Sequence, residues 1–424
     1  MVVCLLPNCC FLSETSRMIE IHRALLARGA AVRVATQGGT YEHALRDAGI
    51  PYDVLGTGFS AERCAAFVRS VPGIGPTDQS MWSDDELRMY AELEAAYFRE
   101  HNVTVAVTGW TLTALLSTRL SGIPLVTEHA GSFLPPMFER GRLPPPSERL
   151  GIPLERWLPR ALRQRIYNAG ASRLTIYTAG FNRVAAELDV EGIPSFVALL
   201  LGDLTLVTDV PEVLGITRAE LESWTPKDPS RYRAGTRFVY AGPIYARLAL
   251  PTPERVERFL ADASPVVYVA ITSSSAELVR AVVGSLRELE VRLLVAATVH
   301  DLADLEKDGR VLVEGILPSH AIMPRVQLAV TSGGQGSVQT ALASGVPLLG
   351  IPLQPEQHAN IALAERQGAA RLVSQRAAGT AALARAARAL LDDPRYRENA
   401  HRLRATLAHI DGPGAAADAI LRLT

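Results

Sequence analysis

The chain has 424 residues, of which 48% are hydrophobic and 21% are charged, a composition that suits two α/β domains better than one. Its 43 basic and 44 acidic residues leave a formal net charge of −1, which argues against nucleic acid or an acidic membrane surface as a partner. We therefore expect the partner to be a small molecule.

The cysteine content and the start of the chain indicate where the protein is found. The four cysteines are Cys4, Cys9, Cys10 and Cys64. Their spacing is not typical of a zinc or redox site, and adjacent cysteines rarely form a disulfide with each other. The first residues lack the basic start and the apolar length of a signal peptide or a membrane span. These features predict a cytoplasmic protein with no metal site and no integral membrane association.

The N-terminal half alternates short apolar runs with helical patterns. Val2 to Leu6 is rich in β-forming residues, and the apolar positions that follow fall on one helical face ending at Gly29. Further strands are predicted at Val32 to Thr36 and at Val103 to Thr108. Because alternating strands and helices build parallel sheets with right-handed crossovers, this half is predicted to be a Rossmann-like domain.

A proline-rich stretch interrupts the alternation at Phe133 to Pro153, and a basic amphipathic segment continues to about Arg173. Such a stretch is typical of a flap inserted near a ligand site. The alternative is a surface helix whose basic face is solvated.

A second alternating series follows Phe238 to Ile244, and it predicts a second Rossmann-like domain. The tail from Ala381 is largely helical, with breaks near Pro394 and Pro413. We place the hinge near Gly242 and Pro243. The expected domains are 1–235, 236–400 and a C-terminal helix, 401–424, that returns to the first domain.

The segment with the clearest chemistry is Thr331-Ser-Gly-Gly-Gln-Gly-Ser337, which follows an apolar strand and opens a helix. Paired glycines let a diphosphate approach the backbone, where free N–H groups and the positive end of the helix stabilise its charge. A glycine-rich turn of this kind also occurs as a simple tight connection, so the prediction of phosphate binding needs support from neighbouring motifs.

Two motifs directly downstream supply that support: Ala343-Ser-Gly-Val-Pro-Leu-Leu-Gly-Ile-Pro352 and Pro355-Glu-Gln-His-Ala-Asn360. In order and spacing, Ser332 to Asn360 resembles the donor-binding signature of family 1 glycosyltransferases, the UDP-glycosyltransferase superfamily with its bacterial macrolide-type members. A weaker resemblance extends over almost the whole chain, including Ala27 to Gly29 and Tyr240 to Pro243.

The resemblance implies an α/β protein of the GT-B fold, with two Rossmann-like domains whose parallel sheets face a cleft. It implies an inverting transfer of a sugar from a UDP- or TDP-sugar to a small, hydrophobic acceptor such as a natural product, with no cofactor beyond this donor. The acceptor would bind mainly to the N-terminal domain and the donor mainly to the C-terminal one. The alternative is a noncatalytic GT-B protein that binds nucleotide sugar or assists a partner transferase. A homodimer is compatible with either function.

Carried over residue by residue, the signature implies a set of donor contacts. Gly333 and Gly334 would face the diphosphate, Ser337 would add a hydroxyl donor, and Glu356 and Gln357 would bind sugar hydroxyls. The full set is Thr272, Ser273, Leu317, Ser332, Gly333, Gly334, Gln335, Gly336, Ser337, Glu356 and Gln357. The structural alternatives are a helix-capping role for Glu356 and an ordinary turn for Thr272 and Ser273.

The chain departs from the family pattern at three places. Ser332 stands where the family usually has a diphosphate-contacting histidine, and Gly315 to Pro318 lacks the usual aromatic nucleobase platform. Glu14 occupies the usual position of the catalytic histidine, and Thr108 to Trp110 occupies the region that supplies its orienting aspartate.

Two residues are candidates for the general base. Glu14 needs no partner to select a tautomer, but an exposed glutamate is a weak base, so burial would have to raise its pKa. Its structural alternative is a helix N-terminal acid that complements the helix dipole. His129, after an apolar strand, is the rival base, although a lone histidine there is more often a hydrogen-bonded structural residue.

Overall fold

The computed structural model describes residues 1–70, 80–145, 157–247, 250–271, 274–297 and 300–423. The chain divides into two compact units. The first comprises Met1–Leu143, Leu158–Ala246 and the tail from Asp411, and the second contains Arg247–Ile410.

The first unit is built on a parallel sheet of seven strands in the order β3-β2-β1-β4-β5-β6-β7. The strands are β1 Val2–Leu5, β2 Ala31–Thr36, β3 Asp53–Val54, β4 Val105–Thr108, β5 Leu125–His129, β6 Leu204–Val207 and β7 Arg237–Tyr240. The central strand β4 is buried over its whole length, as expected for a strand covered by helices on both faces.

Helices flank this sheet. They are α1 Leu12–Leu26, α2 Glu42–Asp47, α3 Ala61–Ser70, α4 Asp84–Glu100, α5 Ala114–Ser121, α6 Pro135–Glu139, α7 Arg160–Ala171, α8 Thr178–Glu187, α9 Pro211–Leu214 and α10 Arg218–Glu222. The core joins apolar residues of α1 and of the central strands to Ala416, Ala417 and Ile420 near the C-terminus. The tail is therefore part of the first unit's core.

The second unit contains a parallel sheet of six strands in the order β10-β9-β8-β11-β12-β13. The strands are β8 Val266–Ala270, β9 Arg292–Ala296, β10 Val311–Glu314, β11 Leu328–Thr331, β12 Leu348–Gly350 and β13 Ala370–Leu372. Its helices are α11 Glu254–Leu260, α12 Ala276–Leu286, α13 Ser319–Ile322, α14 Gln335–Ser344, α15 Pro355–Arg366, α16 Ala381–Asp392 and α17 Pro394–Leu407. The last helix, α18 Gly412–Leu421, belongs to the first unit.

Both sheets reverse their strand order at the first strand. In the first unit the chain adds β2 and β3 on one side of β1 and then continues with β4 on the other side. The second unit repeats this arrangement around β8, with β11 on the far side. In open parallel sheets, ligands bind outside the carboxyl ends of the two strands at which the order reverses. The fold thus identifies two places to examine, after β1 and β4 and after β8 and β11.

The structure confirms the two Rossmann-like parallel sheets predicted from the sequence. The expected boundary at residue 235 falls before β7, which pairs in parallel with β6 and extends the first sheet. The motif Pro355 to Asn360 forms the first half of α15. Within the described ranges, every helix is too short or too polar to cross a lipid bilayer.

Candidate functional site

The glycine-rich turn connects β11 to α14 in the second unit, beside the point where the strand order reverses. Gly333 has a φ of +92°, and its N–H donates to the Thr331 hydroxyl at 3.1 Å. A Cβ at position 333 would lie 2.6 Å from the carbonyl oxygen of Gln357 and 2.8 Å from the Ile361 side chain. Position 333 therefore requires glycine, both for its backbone conformation and for its close contact with α15.

Gly334 differs from its neighbour. It is the N-cap of α14, and a Cβ built on it would meet no atom within 4 Å. The first peptide N–H groups of a helix have no acceptor within the helix and carry its positive end, so an anion is stabilised there. Gln335, Gly336 and Ser337, which form the first turn of α14, are each half-buried. Ser332, which precedes this turn, is buried, with 8% of its surface exposed.

The start of α15 lies against the glycine-rich turn, because Asn360 links the two. Its side-chain amide donates to the Gly333 carbonyl and to Glu356 Oε1, both at 3.0 Å. Gln357 Oε1 accepts the N–H of Leu353 at 2.9 Å, so one end of this side chain holds the loop that precedes α15. The structure brings Gly333, Glu356 and Gln357 together. It adds Asn360, which the last position of the acid-Gln-x-x-Asn motif indicates in the sequence.

Three donor candidates of the sequence analysis remain, of which only Leu317 belongs to the described part of the chain, in the loop after β10. Thr272 and Ser273 fall outside the described residues. Leu317 is buried, with 4% of its surface exposed, whereas its neighbour Ile316 is 38% exposed. The apolar surface that this loop presents is therefore that of Ile316, which the sequence analysis did not single out.

In the first unit, Glu14 lies at the start of α1, after β1, and is almost completely buried. Its Oε1 accepts the backbone N–H groups of Gly109 and Trp110, at 3.1 and 2.8 Å, from the loop after β4. Its Oε2 is buried without a hydrogen-bond partner. Burial raises the pKa of Glu14 to about 8, an effect that the Trp110 N–H opposes and the neighbouring Glu128 carboxyl reinforces. Glu14 thus has the burial that a carboxylate base requires.

A second buried carboxyl, Glu128, lies near the end of β5. Its Oε1 accepts the Nε–H of Arg17 at 2.7 Å, and its Oε2 has no hydrogen-bond partner. Burial raises the pKa of Glu128, and Arg17 acts in the opposite direction. Sequence analysis did not identify this residue, although a glutamate in an otherwise uncharged buried strand is itself a signal of a functional or paired charge.

His129 is the last residue of β5, and its ring packs edge-on against Trp110 with the centroids 6.1 Å apart. Its Nε2 is buried without a hydrogen-bond partner, as is the indole nitrogen of Trp110. Burial, with a smaller contribution from Arg17, lowers the pKa of His129 to about 3, so the imidazole is neutral at physiological pH. Both candidate bases therefore belong to one buried polar cluster in the first unit.

Several known proteins are similar in sequence to this chain. A family model described as UDP-glucoronosyl and UDP-glucosyl transferase matches residues 223–419. The 4'-demethylrebeccamycin synthase of Lentzea aerocolonigenes is 37% identical over 158 residues, which cover 37% of this chain and 38% of that protein. A PGL/p-HBAD biosynthesis glycosyltransferase of Mycobacterium tuberculosis (strain ATCC 25177 / H37Ra) is 27% identical over 321 residues, which cover 75% of this chain and 70% of that protein.

Solved structures show the same fold. Spinosyn forosaminyltransferase SpnP superposes with a TM-score of 0.66 at 16% identity, and glycosyltransferase VinC in complex with dTDP superposes with a TM-score of 0.65 at 15% identity. Each match covers 100% of this chain and 99% of the other. The two parallel sheets described above are thus the two Rossmann-like domains of a GT-B fold.

Proposed function

We propose that this chain is an inverting glycosyltransferase that moves a sugar from a nucleoside diphosphate sugar to a small hydrophobic acceptor. Residues 223–419, which match the UDP-glucoronosyl and UDP-glucosyl transferase family model, support this assignment. The observation that carries the proposal is the open N-terminus of α14 at Gly334, placed where the strand order of the second sheet reverses. Parallel sheets bind phosphorylated ligands at this position.

The donor diphosphate would bind the first turn of α14. Gly334 leaves space for the phosphates, and the N–H groups of Gln335, Gly336 and Ser337 would donate to them, with Ser337 adding its hydroxyl. Gly333 would act indirectly, because it lets α15 approach the turn.

The sugar and the nucleobase would lie on either side of this turn. Glu356, whose carboxylate is oriented by Asn360, would accept hydrogen bonds from sugar hydroxyls, together with Gln357. Ile316, rather than the buried Leu317, would provide the apolar surface for the nucleobase. The UDP and TDP forms of the donor both fit this arrangement, and the related VinC is described in complex with dTDP.

Glu14 is the proposed base. Its unpartnered Oε2 would take the proton of the acceptor hydroxyl, and the acceptor oxygen would attack the anomeric carbon as the bond to the diphosphate breaks. The negative charge that develops on the leaving diphosphate would be stabilised at the N-terminus of α14. This displacement inverts the anomeric configuration and needs no metal ion. The four cysteines are free thiols, which is consistent with the cytoplasmic location that we propose.

The test combines turnover with donor binding. A panel of UDP- and TDP-sugars is incubated with a mixed aglycone library, and the products are analysed by mass for a hexose or deoxyhexose increment. Calorimetry with UDP and TDP is then compared for the wild type and Gly334→Val, which should lose binding without loss of fold because a Cβ at this position meets open space. Undiminished nucleotide binding in Gly334→Val would show that the diphosphate binds elsewhere. Tight nucleotide binding with neither transfer nor donor hydrolysis would contradict the transferase function.

A further inference from the structure

Two glutamate side chains lie against one backbone position in the first unit, and an arginine is bound to one of them. Glu14 Oε1 accepts the N–H of Gly109, and a Cβ at position 109 would lie 2.6 Å from Glu128 Oε1 and 3.2 Å from Glu14 Cδ. Arg17, one turn after Glu14 on α1, donates its Nε–H to Glu128. The two carboxyl groups therefore lie against the same glycine from different elements, and a guanidinium from the helix of the first is bound to the second.

Two further titratable side chains of the described residues lie on the elements around Glu14. Burial lowers the pKa of His129, at the end of β5, to about 3, and it raises the pKa of Cys9, in the loop before α1, to about 12. Both side chains are consequently neutral between pH 5 and 9, a range chosen for about two pH units of margin on either side. Among the described neighbours that act on Glu14, the groups that contribute a charge are Arg17 and the ionised form of Glu128.

We propose that Glu128 and Arg17 are positioning residues that together set the pH at which Glu14 becomes a base. This inference rests on the proposed function of Glu14 and adds two residues to it. The Glu128 carboxylate repels a second negative charge at Glu14, whereas the Arg17 guanidinium attracts one. The Nε–H of Arg17 is bound to Glu128, so the Glu128 carboxylate partly neutralises the attraction of the guanidinium for a negative charge on Glu14.

The arrangement has a chemical purpose. A carboxylate with an ordinary affinity for protons is too weak a base for an alcohol, and one with a very high affinity stays protonated. Two neighbouring charges of opposite sign allow the pKa of Glu14 to be set between these limits. With burial alone, the pKa of Glu14 would depend on how much water enters the pocket.

The titration of Glu14 can be isolated without donor or acceptor. The melting temperatures of the wild type and Glu14→Gln are measured from pH 5 to pH 9, and their difference reports the ionisation of Glu14. Because the pKa of Glu14 is raised from 4.5 to about 8 on folding, the protonated form stabilises the fold. This stabilisation is complete below about pH 4.5, declines as the pH rises, and is fully lost above about pH 8, so the pH at which the difference levels off gives the titration midpoint of Glu14 in the folded protein. The same difference is then measured in the Glu128→Gln and Arg17→Gln backgrounds.

Glu128→Gln and Arg17→Gln should shift the titration midpoint of Glu14 in opposite directions. Glu128→Gln removes the repulsion and releases the Arg17 Nε–H, so the midpoint should fall by about one pH unit or more. Arg17→Gln removes the attraction, so the midpoint should rise by a similar amount. Glu128→Asp, which keeps the charge, should leave the midpoint close to the wild-type value. If Glu128→Gln fails to fold, the direction of the shift in Arg17→Gln decides the question alone.

Glu94→Gln is the matched control. Glu94 is buried in the same unit, and burial raises its pKa to about 7, but it accepts its hydrogen bonds from Gln37, Thr113 and Ser117. Its removal should leave the Glu14 midpoint unchanged. A midpoint that stays fixed in both charge variants, or that moves in the same direction in both, would overturn the proposal.

Turnover separates this proposal from the function on which it rests. In an active enzyme, the acidic limb of the pH–rate profile should move with the thermal midpoint in Glu128→Gln, a change that a merely structural role would not produce. If the Glu14 titration midpoint shifts in the variants but no donor and acceptor give turnover, the coupling of the three residues is supported and the transferase function is contradicted. An active enzyme whose Glu14 titration midpoint is the same in all variants would support the transferase function and contradict the coupling.

Discussion

The two sheets reverse their strand order in the same way but carry opposite chemistry at the point of reversal. After β1 and β4, buried carboxyl groups occupy the site, and the N–H groups of Gly109 and Trp110 are bound to Glu14. After β11, the corresponding position holds glycines and the open N-terminus of α14. In the proposed mechanism, the common topology sets the position of each ligand, and the residues at the ends of the strands determine whether the site removes a proton or stabilises an anion.

Each site also depends on a glycine, but for a different reason. A Cβ on Gly109 would meet the ends of two glutamate side chains, whereas a Cβ on Gly333 would meet the main chain of α15. Flexible side chains can move aside, and a helix backbone cannot do so without a change in packing. Substitutions at the two glycines should accordingly separate the loss of function from the loss of stability.

The largest effect is expected at Gly333. Gly333→Ala places a Cβ 2.6 Å from the Gln357 carbonyl oxygen at a φ of +92°, so it should reduce the free energy of unfolding by about 3 kcal/mol or more. Gly334→Ala is the matched control, since its Cβ meets open space and should change stability by less than about 1 kcal/mol. Urea denaturation of both variants is the measurement. Equal stability would show that α15 does not constrain the turn.

The next effect concerns Glu14. Glu14→Gln keeps the size and polarity of the side chain but cannot take a proton, so turnover should fall by roughly 10²-fold or more while nucleotide affinity stays constant. In the wild type, the rate should rise with pH through about 8, and this limb should be absent in the variant. His129→Ala is the comparison. Activity that survives in Glu14→Gln and is lost in His129→Ala would transfer the role of base to His129.

A smaller effect is expected at Gly109. Gly109→Ala forces Glu128 Oε1 away from its position, because the new Cβ would lie 2.6 Å from it. Since flexible side chains absorb the displacement, the free energy of unfolding should fall by only about 1–2 kcal/mol. Turnover should nevertheless decrease, with the affinity for UDP or TDP unchanged, because the change is confined to the carboxyl cluster. A loss of stability as large as that of Gly333→Ala would mean that the carboxyl groups are rigidly held.

The sequence indicates the geometry of the proposed donor site more fully than that of the proposed acceptor site, for a physical reason. The turn at Gly333 and Gly334 and the first turn of α15 are formed by neighbouring segments, so residue order and spacing place them close together. The cluster of Glu14, Glu128 and Arg17 combines α1 with β5, more than one hundred residues apart in the chain. Spacing carries no information about such a contact, and Glu128 was therefore missed.

The domain limits illustrate the same point. The strand Arg237–Tyr240 has the composition of a buried strand, but only its pairing with β6 assigns it to the first sheet. Similarly, the exposure of Ile316 and the burial of Leu317 depend on the packing of the loop after β10, which adjacent apolar letters do not specify. The local sequence pattern predicts the helices and strands, whereas the pairing of strands distant in the chain determines to which unit each strand belongs.

The smallest effect tests the residue at which the anion site departs from the family pattern. Ser332 lies directly before the glycine pair and is buried. Ser332→His should place a donor beside the diphosphate and tighten the binding of UDP or TDP by about 1 kcal/mol, the scale of one charge-assisted hydrogen bond. Calorimetry at pH 6 and pH 8 measures the effect, which should be larger at pH 6 because the protonated imidazole also carries a positive charge. Ser332→Ala, which adds no donor, is the control and should not strengthen binding. Weaker binding in Ser332→His, with Ser332→Ala unchanged, would mean that the packing around this position excludes an imidazole, and the anion site would then depend on the N-terminus of α14 alone.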